Sequence, residues 1–160
     1  MSEASSDPIQ RGIATLRIIA FALAAGVTLF LIVAAFLAPV GSAAMERQRG
    51  LFVSVSFILA IAHVVGYVLV RRSILSRVAV LPSPKEASAR TAWLQAYQGL
   101  TLIGCALAEG AALVAIVFYL LTAEPMLTVV PVFGILAIAL QFPSLDRFES
   151  FAAAALAARG

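Results

Sequence analysis

GCALAEGAALVAIVFYLL, residues 104–121, decides how this chain folds. The run is long and apolar enough to be read as a membrane-crossing helix, and it carries a single carboxylate, Glu109, near its middle. A charged carboxyl at hydrocarbon depth costs about 2.5–3.5 kcal/mol on insertion scales. The neighbours of Glu109 are therefore expected to cover it or keep it protonated. On a helix, Gln98, Thr101, Cys105 and Ala112 fall on its side, while Ala106 and Gly110 let another backbone approach closely.

Upstream of this run no helix breaker occurs until Leu81-Pro82-Ser83-Pro84. Ser83 has the chemistry of an N-cap, Pro84 suits the first helical position, and Glu86 completes a capping box. The spacing predicts one long helix over residues 84–121, about 55 Å in length. Residues 98–121 are its spanning part and residues 84–97 a cytoplasmic extension. Trp93 and Tyr97 are expected there as interfacial anchors.

Three further apolar runs, residues 13–38, 51–72 and 126–142, read as spans. Arg11 and Arg17 ahead of the apolar core of the first, residues 18–37, and Ser42-Ala43-Ala44 after it, imitate a signal peptide. Its length exceeds the roughly 7–15 residues of such a core, so an uncleaved helix is expected, preceded by a polar tail over residues 1–10. Ala38-Pro39-Val40-Gly41-Ser42 breaks it. The second run ends at Arg71-Arg72, with helical spacing continuing to Val78. The fourth is short, with Pro131 near its start, and Pro143-Ser144 ends it. Ser144 and Asp146 are placed to cap a last helix, residues 144–158. Leu145, Phe148, Phe151 and Ala155 share one side of that helix, which predicts an amphipathic helix lying along the membrane interface. The fold expected is all-α: a single polytopic membrane domain, residues 1–160. It comprises a four-helix transmembrane bundle, a long third helix and a C-terminal interfacial helix.

Composition agrees with this reading. Hydrophobic residues make up 62% and charged residues 12% of the 160, against about 45–50% and 25% in soluble domains. Mean hydropathy is +1.04. The net charge of +3 matters less than its placement. Arg11, Arg17, Arg71, Arg72, Arg77, Lys85, Arg90, Arg147 and Arg159 fall on one side of the expected bilayer, and Arg47 and Arg49 on the other. The positive-inside rule puts both termini in the cytoplasm. No basic surface with interleaved aromatics supports nucleic-acid binding. A single cysteine, Cys105, excludes an internal disulfide, and an apolar setting does not activate a thiol. One histidine cannot supply paired axial haem ligands, and one His with one Cys makes no zinc site. No cofactor, metal or catalytic residue is expected.

A polar cluster inside the bundle is. His63 lies about 10 Å and Glu109 about 15 Å from the cytoplasmic ends of their spans, so depth makes them partners. Ser56 and Tyr67 share the His63 face of the second span. Gln98 lies on the Glu109 side of the third. Arg17 either snorkels to the headgroups or reaches towards this seam. The candidate cluster is Glu109, His63, Arg17, Tyr67 and Gln98. It reads either as a proton- or ligand-linked site or as hydrogen bonding that fixes helix register.

The segment ALAEGAALVAIVFYLL, residues 106–121, resembles the carboxylate-bearing helix of rotary ATPase proteolipid subunits. The glycine-repeat helix that packs such a ring is absent, and the acid lies on the third of four spans, so no rotary role is implied. A second resemblance rests on ALAEGAA at 106–112, YLLT at 119–122 and the Pro-Ser-x-x-Arg step at 143–147. These are similar to small bacterial four-span membrane proteins of unassigned activity. The resemblance implies a four-span fold in a bacterial inner membrane and lends no activity.

The expected function is a non-enzymatic membrane component: structural, accessory or oligomerising. Its partners would be the lipid bilayer and a second copy or another membrane protein. The alternatives are a small proton- or cation-linked transporter or channel using Glu109, and a membrane-embedded enzyme or lipid-binding protein. A water-reachable cavity at Glu109 favours transport, and close packing there favours the structural role. A lipid-open groove lined by cations favours the enzyme or lipid site.

Overall fold

Pro8, whose fixed φ and missing N–H suit a helix start, opens α1 (Pro8–Leu37). Residues 8–10, which the sequence assigns to a polar tail, are therefore helical, and the rest of that expected tail lies outside the described residues. The computed structural model describes residues 8–37, 47–84 and 86–158; the breakers at 38–42 and Glu46 lie outside them. After α1 come α2 (Arg49–Val78) and α3 (Ala87–Thr122), then a 3₁₀ turn (Pro125–Thr128) that runs into α4 (Val129–Leu140), and finally α5 (Leu145–Ala157). Among the described residues the fold is all-α. α1, α2 and α3 are each long and apolar enough to cross a membrane, and the 3₁₀–α4 segment with α5 forms a pair bent by 83°. By helix length and hydropathy this is a helical membrane protein.

α3 is the axis of the molecule. α1, α2 and α4 all pack on it, and α5 folds back onto α2 and α3. Of the most apolar window, 44% is buried in α3 and only 6% in α2. α2 consequently presents Leu51, Ile58, Ile61, Val64 and Leu69 outward, the pattern of a helix whose far side faces lipid rather than water. The third helix runs unbroken through Arg90 and Gly99.

Its start differs from the capping-box expectation. The Glu86 N–H donates to the Ser83 carbonyl at 2.9 Å, closing a turn before the helix. Glu86 itself becomes the N-cap, in extended conformation, with no side-chain cap. The reason lies in the loop's anchoring: Trp93 Nε1 donates to the Pro82 carbonyl at 2.9 Å. That bond holds residues 81–84 against the side of α3 instead of in line with it.

Trp93 and Tyr97 are not interfacial anchors. Trp93 is 0% exposed and Tyr97 is buried. They sit in the largest buried cluster, with Ile9, Ile13 and Leu16 from α1, Val78 from α2, and Phe148, Phe151 and Ala155 from α5. Trp93 meets Phe151 and Tyr97 meets Phe148 edge-on, at 6.2 and 5.6 Å. Of the four residues expected to share one side of α5 at the interface, Phe148, Phe151 and Ala155 are buried against the bundle, and Leu145, at the first position after the bend, is exposed.

Farther along α3 the packing changes character. Ala20, Cys105, Ala108 and Ile138 form one small cluster, and Val27, Ala34, Ala112 and Ile116 another. Small side chains bring backbones together: a Cβ on Gly134 would lie 3.0 Å from both the Ala108 carbonyl oxygen and the Ala112 Cβ. That is how helices associate where lipid replaces water and apolar burial drives nothing. The buried aromatics, Trp93, Tyr97, Phe148 and Phe151, gather at the end that carries Arg71, Arg72, Arg77 and Arg147, the charged end, while at the other end Phe52 and Phe118 stack half-buried at 4.6 Å.

The remaining turns follow their residue chemistry. Ser144 caps α5, its Oγ accepting from the Arg147 N–H at 3.2 Å. α3 ends on Ala123 in the left-handed region, φ 51°. Glu124 then caps the 3₁₀ turn and pairs with Arg49 at 3.5 Å. Pro131 is the third residue of α4 and buried; it stands in the first turn, where N–H groups have no acceptor within the helix, so its missing N–H is tolerated.

Candidate functional site

The structure disperses the five expected cluster residues around the bundle. His63 projects from α2 onto α3, where its ring faces the Leu107 carbonyl. Its Nδ1 is buried without a hydrogen-bond partner among the described residues. Apolar grooves flank it on both sides. One, of about 410 Å³, is lined by Phe57, Ile61, Ala108, Phe133 and Ala137 among others. The other, of about 370 Å³, lies along Leu59, Ala106, Leu107 and Gly110. Ser56, on the same face of α2, is fully buried with its Oγ likewise unpaired.

Glu109 stands about 200° round α3 from Leu107. It is half-buried, one turn from Cys105 and on the α1 side of the helix. Gln98 lies one α1 contact nearer the charged end, its Nε2 2.9 Å from where a Gly12 Cβ would stand. Arg17 does not reach the seam: its Nε donates to the Pro143 carbonyl at 2.9 Å. Among the described residues no hydrogen bond or ion pair joins any two of Glu109, His63, Arg17, Tyr67 and Gln98.

Tyr67 belongs to a different assembly. At the charged end, α2, α3, the bend after α4 and α5 enclose a cavity of about 180 Å³. Its floor is Leu100, Thr101, Tyr97 and Phe151, all buried; Arg71, Arg147 and Ser150 stand exposed at its rim. Tyr67 and Gln141 complete the wall. The Tyr97 side chain lies beside the Ser144 backbone and the Thr101 side chain, with the Arg147 charge acting on it. Gln141 has its Oε1 buried and without a hydrogen-bond partner. That oxygen occupies the space a Cβ on Gly104 would need, and the Tyr67 ring would stand 2.9 Å from the same Cβ.

Sequence reasoning missed this pocket. Its components do pair at helical spacing, Tyr67 with Arg71, Tyr97 with Thr101, and Arg147 with Ser150 and Phe151. Nothing in that spacing, however, reports the 83° bend that folds α5 over the other two pairs.

No family model, curated protein or solved structure matches the chain.

Proposed function

We propose that this chain is a non-enzymatic integral membrane protein that acts as an accessory or oligomerising component. It crosses the bilayer four times, the last time through the 3₁₀–α4 segment, with both termini in the cytoplasm. That segment is about 26 Å long against a hydrocarbon core of about 30 Å, so its crossing is completed by residues at the bend. The end of the bundle holding Arg71, Arg72, Arg77, Arg90 and Arg147 is the cytoplasmic end, and α5 lies there along the interface.

The observation that carries the reading is Glu109 at the edge of an uncovered face of α3. Ala106, Gly110 and Val117 on that face are exposed, and a Cβ on Gly99 or Gly110 would meet nothing within 4 Å. The carboxyl makes no hydrogen bond or ion pair within the described chain. At mid-bilayer such a group either ionises, at a cost of about 2.5–3.5 kcal/mol, or stays protonated and seeks an acceptor. A neighbouring helix supplies both the acceptor and the packing that small residues permit. The polar cavity and the two grooves beside His63 are lined by residues other than Glu109, which does not favour the transport reading.

The reading is tested in a Cys105→Ala background, with single cysteines at Ala106 and Gly110 cross-linked in native membranes. A covalent dimer or a discrete heterologous adduct is expected, weakened by Glu109→Leu. Cross-linking that stays at the level of a control cysteine at Ile61 would overturn it. Cysteines at Ser76 and Gln48 should be labelled from the cytoplasm and from the outside, respectively; the reverse result overturns the orientation.

A further inference from the structure

The cavity between Tyr67, Arg71, Tyr97, Thr101, Gln141 and Arg147 has no part in the reading above. Its chemistry is nonetheless the most specific in the molecule. Two guanidiniums flank one small polar volume, and neither is committed: among the described residues the salt bridge is Arg49–Glu124, at the opposite end. The carboxylates of α5, Asp146 and Glu149, are exposed and do not line the cavity. Fixed forks of donors of this kind match phosphate oxygens.

The wall adds a second requirement. Gln141 Oε1 is buried with no donor, a costly arrangement unless something supplies one. Tyr67 and Tyr97 add phenolic hydroxyls, while Thr101 and Ser150, which donate to the Tyr97 and Asp146 carbonyls at 3.0 and 2.8 Å, are left to accept. A volume of about 180 Å³ is below the roughly 300–1,000 Å³ of pockets that enclose drug-sized ligands. It holds a headgroup-sized species and excludes a nucleotide.

We propose that this pocket binds a phosphate ester bearing a free hydroxyl. Arg71 and Arg147 would hold the phosphate, and the Gln141 amide, turned into the cavity, would take the hydroxyl. That chemistry is shared by a glycerol-type anionic lipid headgroup and by a soluble polyol phosphate. Basic pockets between helices on the cytoplasmic side of membrane proteins suit the first source. The lipid source rests on the membrane orientation proposed above; the pocket chemistry does not.

The test uses the full chain in nanodiscs of equimolar phosphatidylcholine and phosphatidylglycerol, with retained lipid read by native mass spectrometry. Wild type should retain phosphatidylglycerol selectively. Arg71→Gln and Arg147→Gln should each weaken retention about tenfold, the loss expected for one charge-assisted contact. Arg77→Gln, which removes an exposed charge outside the pocket, should leave it unchanged. Equal loss in all three variants would reduce the effect to general attraction between charges and overturn the site. Thermal melting checks that each variant is folded, and Arg71→Lys, which keeps the charge, should recover part of the retention.

In the second arm, glycerol 3-phosphate and inorganic phosphate are titrated into protein held in neutral detergent. Binding of the ester there, with no lipid preference in nanodiscs, assigns the soluble source. Failure of both arms overturns the proposal. Flotation with phosphatidylcholine liposomes reads the membrane assignment separately: a chain that fails to float overturns that assignment, and the soluble arm still decides the pocket.

Discussion

Arg17 Nε, on α1, donates to the carbonyl of Pro143, 126 residues away, at 2.9 Å. That carbonyl belongs to the link between α4 and α5, where no helical N–H is available to it. The guanidinium thereby fastens the bend that folds α5 back over the charged end. Arg17→Ala should cost roughly 1 kcal/mol, towards the low end for a charged donor because the side chain is partly solvated. Its clearer signature should be local: faster proteolysis or amide exchange in residues 145–157 than in α3. Uniform loosening of the whole bundle would show that the contact does not act on the bend.

The same residue shows where sequence reasoning stops. Four apolar runs, the breaks at residues 81–84 and 143–144 and the Ser144 cap are one-dimensional signals, and each appears in the structure. Arg17 also gave a one-dimensional signal, a charge one turn inside an apolar run, but its partner is a backbone carbonyl far along the chain. Glu109 and His63 sit at similar depths, and depth is legible from residue counts. Azimuth is not: whether two side chains meet depends on which faces of α2 and α3 pack together, and the alanines and glycines of α3 leave several faces equally suitable.

Trp93 illustrates the converse error. Near the end of a span, Trp reads as a belt residue, yet here it is fully buried under α5 with its indole N–H on the Pro82 carbonyl. Trp93→Phe should cost about 1–3 kcal/mol, through the lost hydrogen bond and the carbonyl left without a donor. Trp93→Ala should cost about 3–5 kcal/mol, through the cavity it leaves among Tyr97, Phe148 and Phe151. Thermal melting in detergent measures both. A belt residue would instead show little loss of stability with a change in membrane depth.

At the opposite end, Ala123 holds φ at 51°, the one positive φ outside glycine among the described residues. It ends α3, its N–H donating to the Tyr119 carbonyl at 2.7 Å. A Cβ in the left-handed region costs roughly 1–2 kcal/mol, and glycine is the usual occupant of this position. Ala123→Gly should therefore raise stability by up to about 1 kcal/mol, since glycine's extra freedom in the unfolded chain offsets part of the relief. The Arg49–Glu124 pair beside it should be undisturbed. A lowered melting temperature would show that the turn is held by something other than its backbone conformation.

Two glycines of α3 separate the internal site from the external face. A methyl on Gly104 would overlap the Gln141 amide and press on the Tyr67 ring, so the wall of the polar cavity would have to move. Gly104→Ala should cost about 1–3 kcal/mol as overpacking, reduced by the better helix propensity of alanine. It should also weaken whatever the cavity holds. Gly110 is the contrast: a methyl there meets nothing within 4 Å, so within one chain Gly110→Ala should be neutral or stabilising by up to about 1 kcal/mol. Gly110→Leu should be equally silent in the monomer but should prevent close approach of another helix beside Glu109. The measurement is a pair of readouts on each variant: melting in detergent and cross-linking yield in membranes. Gly104→Ala should lower the first and spare the second, and Gly110→Leu should do the reverse. If Gly110→Leu cross-links as well as wild type, the uncovered face of α3 meets only lipid.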